Sequence, residues 1–250
     1  MTITIELPII APQSLEAFRN IYTIKSTQDL FEDIADPDDF PVLQAWDNET
    51  SQIQHTAAPK NRVFQYGNII ETVCVFEKTN WRQGRFGDGK KYGVWYGAIE
   101  KETSILEGLY SVYKNVKEDI ANSSRPVVID RRMLKAQITA NRAIDLRLCS
   151  EHYAQLINNN YTFCQELGAY AVEDGIDLFL TPSARNLGGT CVPIFSPSAI
   201  KSDKTIYYIH FSFHNEGEVQ ITTDEDQIFK IPDSWKSHKF LKGAAQPIDL

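Results

Sequence analysis

Glu107 stands three residues after Ser104, at the start of a run of apolar residues with helical spacing. Two uses fit that position. Ser104-Ile105-Leu106-Glu107 matches the capping box, in which the glutamate reaches back to the N-cap amide. A glutamate in a first helical turn can instead point into a cleft, where the peptide dipoles help keep it ionised at neutral pH. A second location is the segment Thr181 to Gly189, which contains Ser183 and Arg185 and lies between two strongly hydrophobic runs. A loop at a strand end is a common place for ligand contacts, and a turn serine is the structural alternative. No G-x-S-x-G elbow surrounds Ser183 and no histidine stands in a partner context, so a hydrolase triad is poorly supported.

Gly84-Arg85-Phe86-Gly87-Asp88-Gly89 is glycine-rich, but a dinucleotide fingerprint requires a helix after it, and here a strand is expected around Tyr96. Glycines serving a hairpin or an irregular loop are the preferred explanation. His210 and His214 share a strand face by the period of two, yet no third or fourth ligand stands nearby, so no metal site is expected. Cys74, Cys149, Cys164 and Cys191 form no C-x-x-C pair and sit among apolar neighbours, which suits reduced, buried thiols.

The elements that must position these groups follow from pattern. A helix is expected from Thr103-Ser104 onward, on the spacing of Leu106, Leu109, Tyr110, Tyr113 and Ile120, with Pro126 beyond its end. A second spans Tyr161 to Val172. Strands are expected at Ile69–Phe76, Tyr92–Tyr96, Val127–Ile129, Ala143–Leu148, Ile176–Leu180, Cys191–Phe195, Ile206–Phe213 and Glu218–Thr222. After residue 120 strands outnumber helices without alternating with them, which reads as α+β rather than a doubly wound parallel sheet.

The N-terminal sixty residues differ in composition. They hold ten acids against three bases, which accounts for seven of the eight excess negative charges of the 250-residue chain. Apolar stripes at Leu15, Phe18 and Tyr22 and at Leu30, Phe31 and Ile34 predict helices there, with a break at Pro37. The division is accordingly set at 1–60, an acidic helical extension, and 61–250, the main domain. An excess of acid over base disfavours a nucleic-acid binder. No stretch reaches the roughly 18 apolar residues of a membrane span, and the first residues do not resemble a secretory signal, so a cytoplasmic protein is expected.

In chain order, Gly84-Arg85-Phe86, Gly93-Val94-Trp95-Tyr96-Gly97-Ala98, Glu102-Thr103-Ser104-Ile105-Leu106-Glu107, Asp145-Leu146-Arg147 and Pro182-Ser183-Ala184-Arg185 with Gly188-Gly189 and Phe195 together resemble the RES domain. The resemblance covers roughly residues 62 to 215. Members of that family are toxins of toxin–antitoxin pairs that degrade NAD, several as NAD phosphorylases, on a fold similar to ADP-ribosyltransferases. The resemblance therefore implies an ADP-ribosyltransferase-like mixed β core flanked by helices. It implies Arg85, Tyr96, Glu107 and Ser183 as the catalytic set, with Arg62 and Arg185 as substrate-binding residues and Arg82 as the alternative to Arg62. The implied substrates are NAD and inorganic phosphate, with no cofactor and no metal. The implied partner is a cognate antitoxin carrying a helix-turn-helix, and a homo-oligomer is compatible with the reading.

The chemistry of NAD suits those residue types. Arginine forks match its diphosphate, and a carboxylate near the ribosyl carbon stabilises the positive charge that grows as the nicotinamide bond breaks. Tyr96 can stack on a flat ring. Arg85, Arg62 and the Ser183 hydroxyl would position the diphosphate and the incoming phosphate. With water or a protein side chain as acceptor the same site would be a glycohydrolase or an ADP-ribosyltransferase. A non-catalytic nucleotide- or partner-binding protein is the alternative from another class.

Overall fold

Val127 to Ala140 reads VVIDRRMLKAQITA, and its β-branched and apolar residues make one of the two longest strands of the molecule. The computed structural model describes residues 7–10, 12–22, 74–214 and 218–223. Among these, nine strands form one sheet: β1 (Ile9–Ile10), β2 (Gln13–Tyr22), β3 (Trp95–Ala98), β4 (Val127–Ala140), β5 (Ala143–Asp145), β6 (Leu178–Pro182), β7 (Thr190–Ile194), β8 (Ile200–Phe213) and β9 (Val219–Thr223). Their spatial order is β1-β5-β6-β7-β3-β2-β4-β8-β9. Only the β5–β6 pair is parallel, so the sheet is mixed. Three α-helices accompany it among the described residues: α1 (Lys101–Asn122), α2 (Tyr153–Ile157) and α3 (Thr162–Glu173). The expected α+β class holds, and no described helix is long and apolar enough to cross a membrane.

Residues 13–22 correct the helix expected from Leu15, Phe18 and Tyr22. They form β2, which pairs antiparallel with β4 from Gln13↔Ala140 to Tyr22↔Arg131. The helical spacing misleads because this strand is covered on both faces. Ala17 belongs to one apolar cluster while Phe18 packs against another, so the apolar residues show no clean alternation. β1 and β2 are thus part of the main sheet, and not of a separate extension. The chain divides into two compact units, and all the described residues fall in the one made of Met1–Tyr22 and Gly67–Leu250. The expected boundary at residues 60 and 61 and the expected helix around Leu30 lie outside the described residues. Of the strand expected over 69–76, Cys74–Phe76 is a 3₁₀ turn and the stretch from Ile69 to Val73 lies outside them.

The two faces of the sheet carry different layers. Met133, Ile209, Phe211 and Phe213 receive the buried stripe Ile105, Leu106, Leu109 and Val112 of α1. Beside it, Ile144 and Phe179 receive Cys164, Leu167 and Ala171 of α3. Each fully buried leucine or phenylalanine contributes about 1.5–3 kcal/mol, which fixes both helices on this face. The opposite face carries Trp95, Ala136, Ile138, Leu178, Val192 and Ile194.

On the face away from the helices, Arg19 of β2 lies over the Trp95 ring, 5.4 Å from its centroid, and burial pulls its pKa down to about 10. Asp203 of β8 pairs with Ala136 on the same face, and neither of its carboxylate oxygens meets a hydrogen-bond donor among the described residues. Burial pushes Asp203 up to about 6, against the attraction of Arg132 and Arg19. The folded protein therefore keeps a proton that the unfolded chain, with an ordinary carboxylate near 3.9, gives up at lower pH. Stability at this position falls as pH rises from about 4 to 6. Asp203→Asn is expected to stabilise the fold by about 1–2 kcal/mol at pH 7.5 and by little at pH 4.5, as read from denaturation midpoints at both pH values.

Candidate active site

The α1 helix begins at Lys101 with Glu100 as its N-cap, and the Ser104 amide already donates to the Glu100 carbonyl at 3.1 Å. Ser104 is therefore inside the helix, and the capping box expected at Ser104–Glu107 is not formed. Freed from capping, Glu107 in the second turn aims at the loop that follows β6. Its Oε1 accepts the Ser183 hydroxyl at 2.6 Å and the Ala184 amide at 3.1 Å, and the Cys191 thiol lies 3.6 Å away. Glu107 Oε2 accepts no hydrogen bond among the described residues.

Ser183 is 3% exposed. Its Oγ accepts the backbone N–H of Arg185 and of Asn186, each at 3.0 Å. With both lone pairs engaged, the one hydroxyl proton goes to Glu107. The serine of the turn and the serine of the site are the same group doing both jobs. Burial, then the charge of Glu107, pushes the Cys191 thiol well above its ordinary range, so it stays an S–H donor.

A second carboxylate on α1 holds the other end of the same loop. Glu100 Oε2 accepts the Thr103 hydroxyl at 2.7 Å and the Thr190 amide at 2.9 Å, and Thr103 Oγ1 accepts Asn186 Nδ2 at 2.8 Å. From Glu100 the hydrogen bonds run through Thr103, Asn186 and Ser183 to Glu107, so the loop is pinned to α1 at two points seven residues apart. Arg147 grips Asp145 with two parallel bonds of 2.8 and 2.7 Å and reaches Thr190 Oγ1 at 3.3 Å. Burial raises the Asp145 pKa, but the Arg147 fork and amide outweigh it and leave the carboxyl lowered.

Arg85 sits in the tight turn closed by Gly84 N–H to the Gly87 carbonyl at 2.9 Å. Its Nη1 donates to the carbonyls of Leu156 and Asn158 at 2.8 and 2.6 Å, and its guanidinium lies 4.9 Å from the centre of the Tyr161 ring. The charge of Arg85 reaches Cys191, where it opposes the effect of burial. Two glycines permit this turn. A Cβ on Gly84 would stand 2.8 Å from Tyr96 Oη, and one on Gly168 of α3 would stand 1.9 Å from the Phe86 carbonyl oxygen. Gln165 of α3 donates Nε2 to the Gly84 and Gly87 carbonyls at 3.0 and 3.3 Å.

Tyr96 carries the turn rather than an open ring face. Its Oη accepts the Phe86 amide at 2.8 Å, and burial raises its pKa well beyond the usual tyrosine range, so the phenol stays protonated. Tyr96→Phe would leave the Phe86 amide without its acceptor. The expected result is a loss of about 1–2 kcal/mol in stability, read from denaturant titration, whereas pure ring stacking predicts a stable variant.

Arg185 is 5% exposed; its guanidinium carbon lies 3.5 Å from the centre of the Tyr110 ring, and its Nη2 donates to Asn159 Oδ1. Glu107, Ser183 and Arg185 thus meet around one loop, and Arg85 binds the Leu156 and Asn158 carbonyls next to Asn159, the partner of Arg185. Arg62 lies outside the described residues. Arg82 is exposed, and its Nη1 donates to the nearby Thr79 and Trp81 carbonyls at 3.1 and 3.0 Å. His210 pairs with Asp130 at 2.8 Å, and no group of three metal-ligating side chains occurs among the described residues.

The site offers a carboxylate with one oxygen fixed and one without a donor among the described residues, and two guanidiniums, Arg185 and Arg85, held on the Tyr110 and Tyr161 rings, groups whose chemistry suits an anionic substrate. The RES domain model matches residues 72–214. The chain belongs to the RES domain family, whose members include toxins of toxin–antitoxin pairs. No curated protein matches the sequence. Among solved structures, a chain of the M. tuberculosis MbcT-MbcA toxin-antitoxin complex is similar, with a TM-score of 0.39 and 10% identity over 78% of this chain and 86% of that one.

Proposed function

We propose that this RES-domain protein is an NAD-degrading toxin that transfers the ADP-ribosyl group from nicotinamide to inorganic phosphate. The observation that carries the reading is the state of Glu107: Oε1 held by Ser183 and Ala184, Oε2 free of protein donors among the described residues. Arg185 and Arg85 bind the diphosphate and bring the nicotinamide ribose to Glu107. The N-glycosidic bond breaks, and its electron pair leaves with nicotinamide, whose pyridinium nitrogen becomes neutral. No acid is needed for that departure. Glu107 stabilises the oxocarbenium-like carbon as it forms, and a phosphate oxygen bonds to the same carbon to give ADP-ribose 1″-phosphate. Ser183 acts through Glu107, and Tyr96 acts through the Arg85 turn; both are positioning residues in this account.

Depletion of NAD makes such an enzyme toxic to a cell whose cytoplasm contains it, and family membership supports a cognate antitoxin with a helix-turn-helix as its partner. The test is product identification after incubating purified, partner-free protein with NAD, with and without phosphate. Nicotinamide and phosphorylated ADP-ribose formed only with phosphate support the proposal. Plain ADP-ribose in both samples makes the protein a glycohydrolase, and ADP-ribosylated protein makes it a transferase to side chains. Binding without turnover makes it a nucleotide-binding protein.

A further inference from the structure

Thr103 and Glu107 stand at positions i and i+4 of α1, so the helix presents both to the loop that follows β6. Glu107 meets the start of that loop, at Ser183 and Ala184, and Thr103 meets its far side, at Asn186. A Cβ on Gly189 would stand 2.3 Å from Thr103 Oγ1 and 2.9 Å from Asn186 Nδ2, so the loop backbone passes directly against the threonine. Thr103 is fully buried. The proposed transfer to phosphate gives no part to Thr103, Glu100 or Asn186.

The bonds between these groups run in one direction. A carboxylate accepts and does not donate, so the Thr103 hydroxyl gives its proton to Glu100 Oε2 and offers a lone pair to Asn186 Nδ2. The Asn186 amide must then turn its NH₂ toward α1. The Asn186 backbone N–H goes to Ser183 Oγ at 3.0 Å, which leaves the Ser183 proton for Glu107 at 2.6 Å. Glu100 sets the threonine, the threonine sets the asparagine, and the asparagine sets the serine that holds Glu107. The outer end is anchored as well, because Glu100 Oε2 accepts the Thr190 amide at 2.9 Å and Arg147, gripped by Asp145, reaches Thr190 Oγ1 at 3.3 Å. The two arginine side chains of the site are held by other groups, Arg185 by Asn159 and the Tyr110 ring, Arg85 by the Leu156 and Asn158 carbonyls and the Tyr161 ring.

We infer that Glu100, Thr103 and Asn186 are positioning residues, a relay that fixes the Ser183 loop against α1 and thereby the orientation of the Glu107 carboxylate. The inference rests on the reading of Glu107 as the group that faces the ribosyl carbon and adds what keeps it there. Its signature is a loss of kcat at constant KM: the carboxylate loses alignment in the transition state, while the arginines that bind the diphosphate keep their own partners.

The experiment compares three variants of the full-length protein. Thr103→Val keeps the side-chain shape and removes the hydroxyl, Thr103→Ser restores the hydroxyl, and Asn186→Ala cuts the relay at a partly exposed loop residue that the fold tolerates even where a buried change is not. Each is read by NAD kinetics, alone and combined with Ser183→Ala, and by amide hydrogen exchange. Thr103→Val and Asn186→Ala are expected to lower kcat about tenfold with KM for NAD within about twofold, and Thr103→Ser to recover most of the loss. In the Ser183→Ala background neither should cost more than about twofold further, because the relay is already cut. The Ala184 and Arg185 amides should exchange about tenfold faster in both variants while the interior of α1 keeps its protection. A kcat within about twofold of wild type in both, an effect carried by KM, the same loss with and without the Ser183 hydroxyl, or unchanged loop exchange overturns the inference. Faster loop exchange in the variants of a protein that releases no nicotinamide keeps the relay and removes the enzymatic reading. Nicotinamide released at a rate that no relay variant changes keeps the enzyme and removes the relay.

Discussion

Glu107→Gln is expected to lower kcat for NAD cleavage by about 10²–10³-fold, the usual loss when an aligned electrostatic group is removed from a reacting centre. The amide is isosteric with the carboxylate, and its carbonyl can still accept the Ser183 hydroxyl and the Ala184 amide that now meet Oε1. What disappears is the negative charge facing the ribosyl carbon. The thermal midpoint should stay within about 3 °C of wild type, because the helix is started by Glu100 and not capped by Glu107. A capping glutamate would show the opposite pattern, with stability lost and turnover kept. Thermal denaturation and single-turnover kinetics on the same preparation separate the two.

Ser183→Ala is the second large effect, and it acts on stability and rate together. The change removes the acceptor of two backbone N–H groups, those of Arg185 and Asn186, in a residue that is 3% exposed. Leaving buried donors unpaired costs about 1–3 kcal/mol. It also removes the shorter of the two bonds on Glu107 Oε1, so the carboxylate is held by the Ala184 amide alone among oxygen and nitrogen donors, and kcat should fall about 10- to 100-fold. A serine that served as a direct phosphate ligand would instead raise the KM for phosphate with little change in stability. The hydrogen-bond inventory favours the first pattern, because the Ser183 hydroxyl has neither a lone pair nor a proton left for phosphate in this state. Denaturant titration and phosphate-dependent kinetics of the variant decide between them.

Parts of this architecture were legible in the residues. The expected helix over Tyr161–Val172 is α3, and the apolar runs at Ile176–Leu180 and Cys191–Phe195 are β6 and β7 to within two residues at each end. These are short elements with strong local pattern and polar or glycine punctuation. β2 and most of β4 were not legible. Arg131, Arg132, Lys135 and Gln137 break the apolar run of β4, and only its long pairing with β2 and β8 reveals that residues 130–140 are extended. Arg131 in that strand is nearly buried, stacked 4.3 Å over Tyr22 and bonded to Asn20, partners that no local pattern announces.

The site divides in the same way. Glu107 and Ser183 could be singled out one at a time, as a helix-start glutamate and a loop serine. Their direct bond spans 76 residues and exists because β6 delivers its loop against the second turn of α1. Glu100, Thr103 and Asn186 were missed altogether, since a threonine and an asparagine signal nothing until their hydroxyl and amide are seen to complete a chain between two carboxylates. Tyr96 was singled out for stacking on a flat ring, but in the structure Gly84 lies against its ring and its hydroxyl accepts the Phe86 amide.

The most direct test of the central claim is release of nicotinamide from NAD by the purified, partner-free chain, measured beside Glu107→Gln at equal concentration. The account predicts release by the wild type and a rate lowered to about one hundredth or less in the variant, with both proteins equally folded by circular dichroism. A well-folded wild type that releases no nicotinamide, or a variant that releases it as fast, would contradict it.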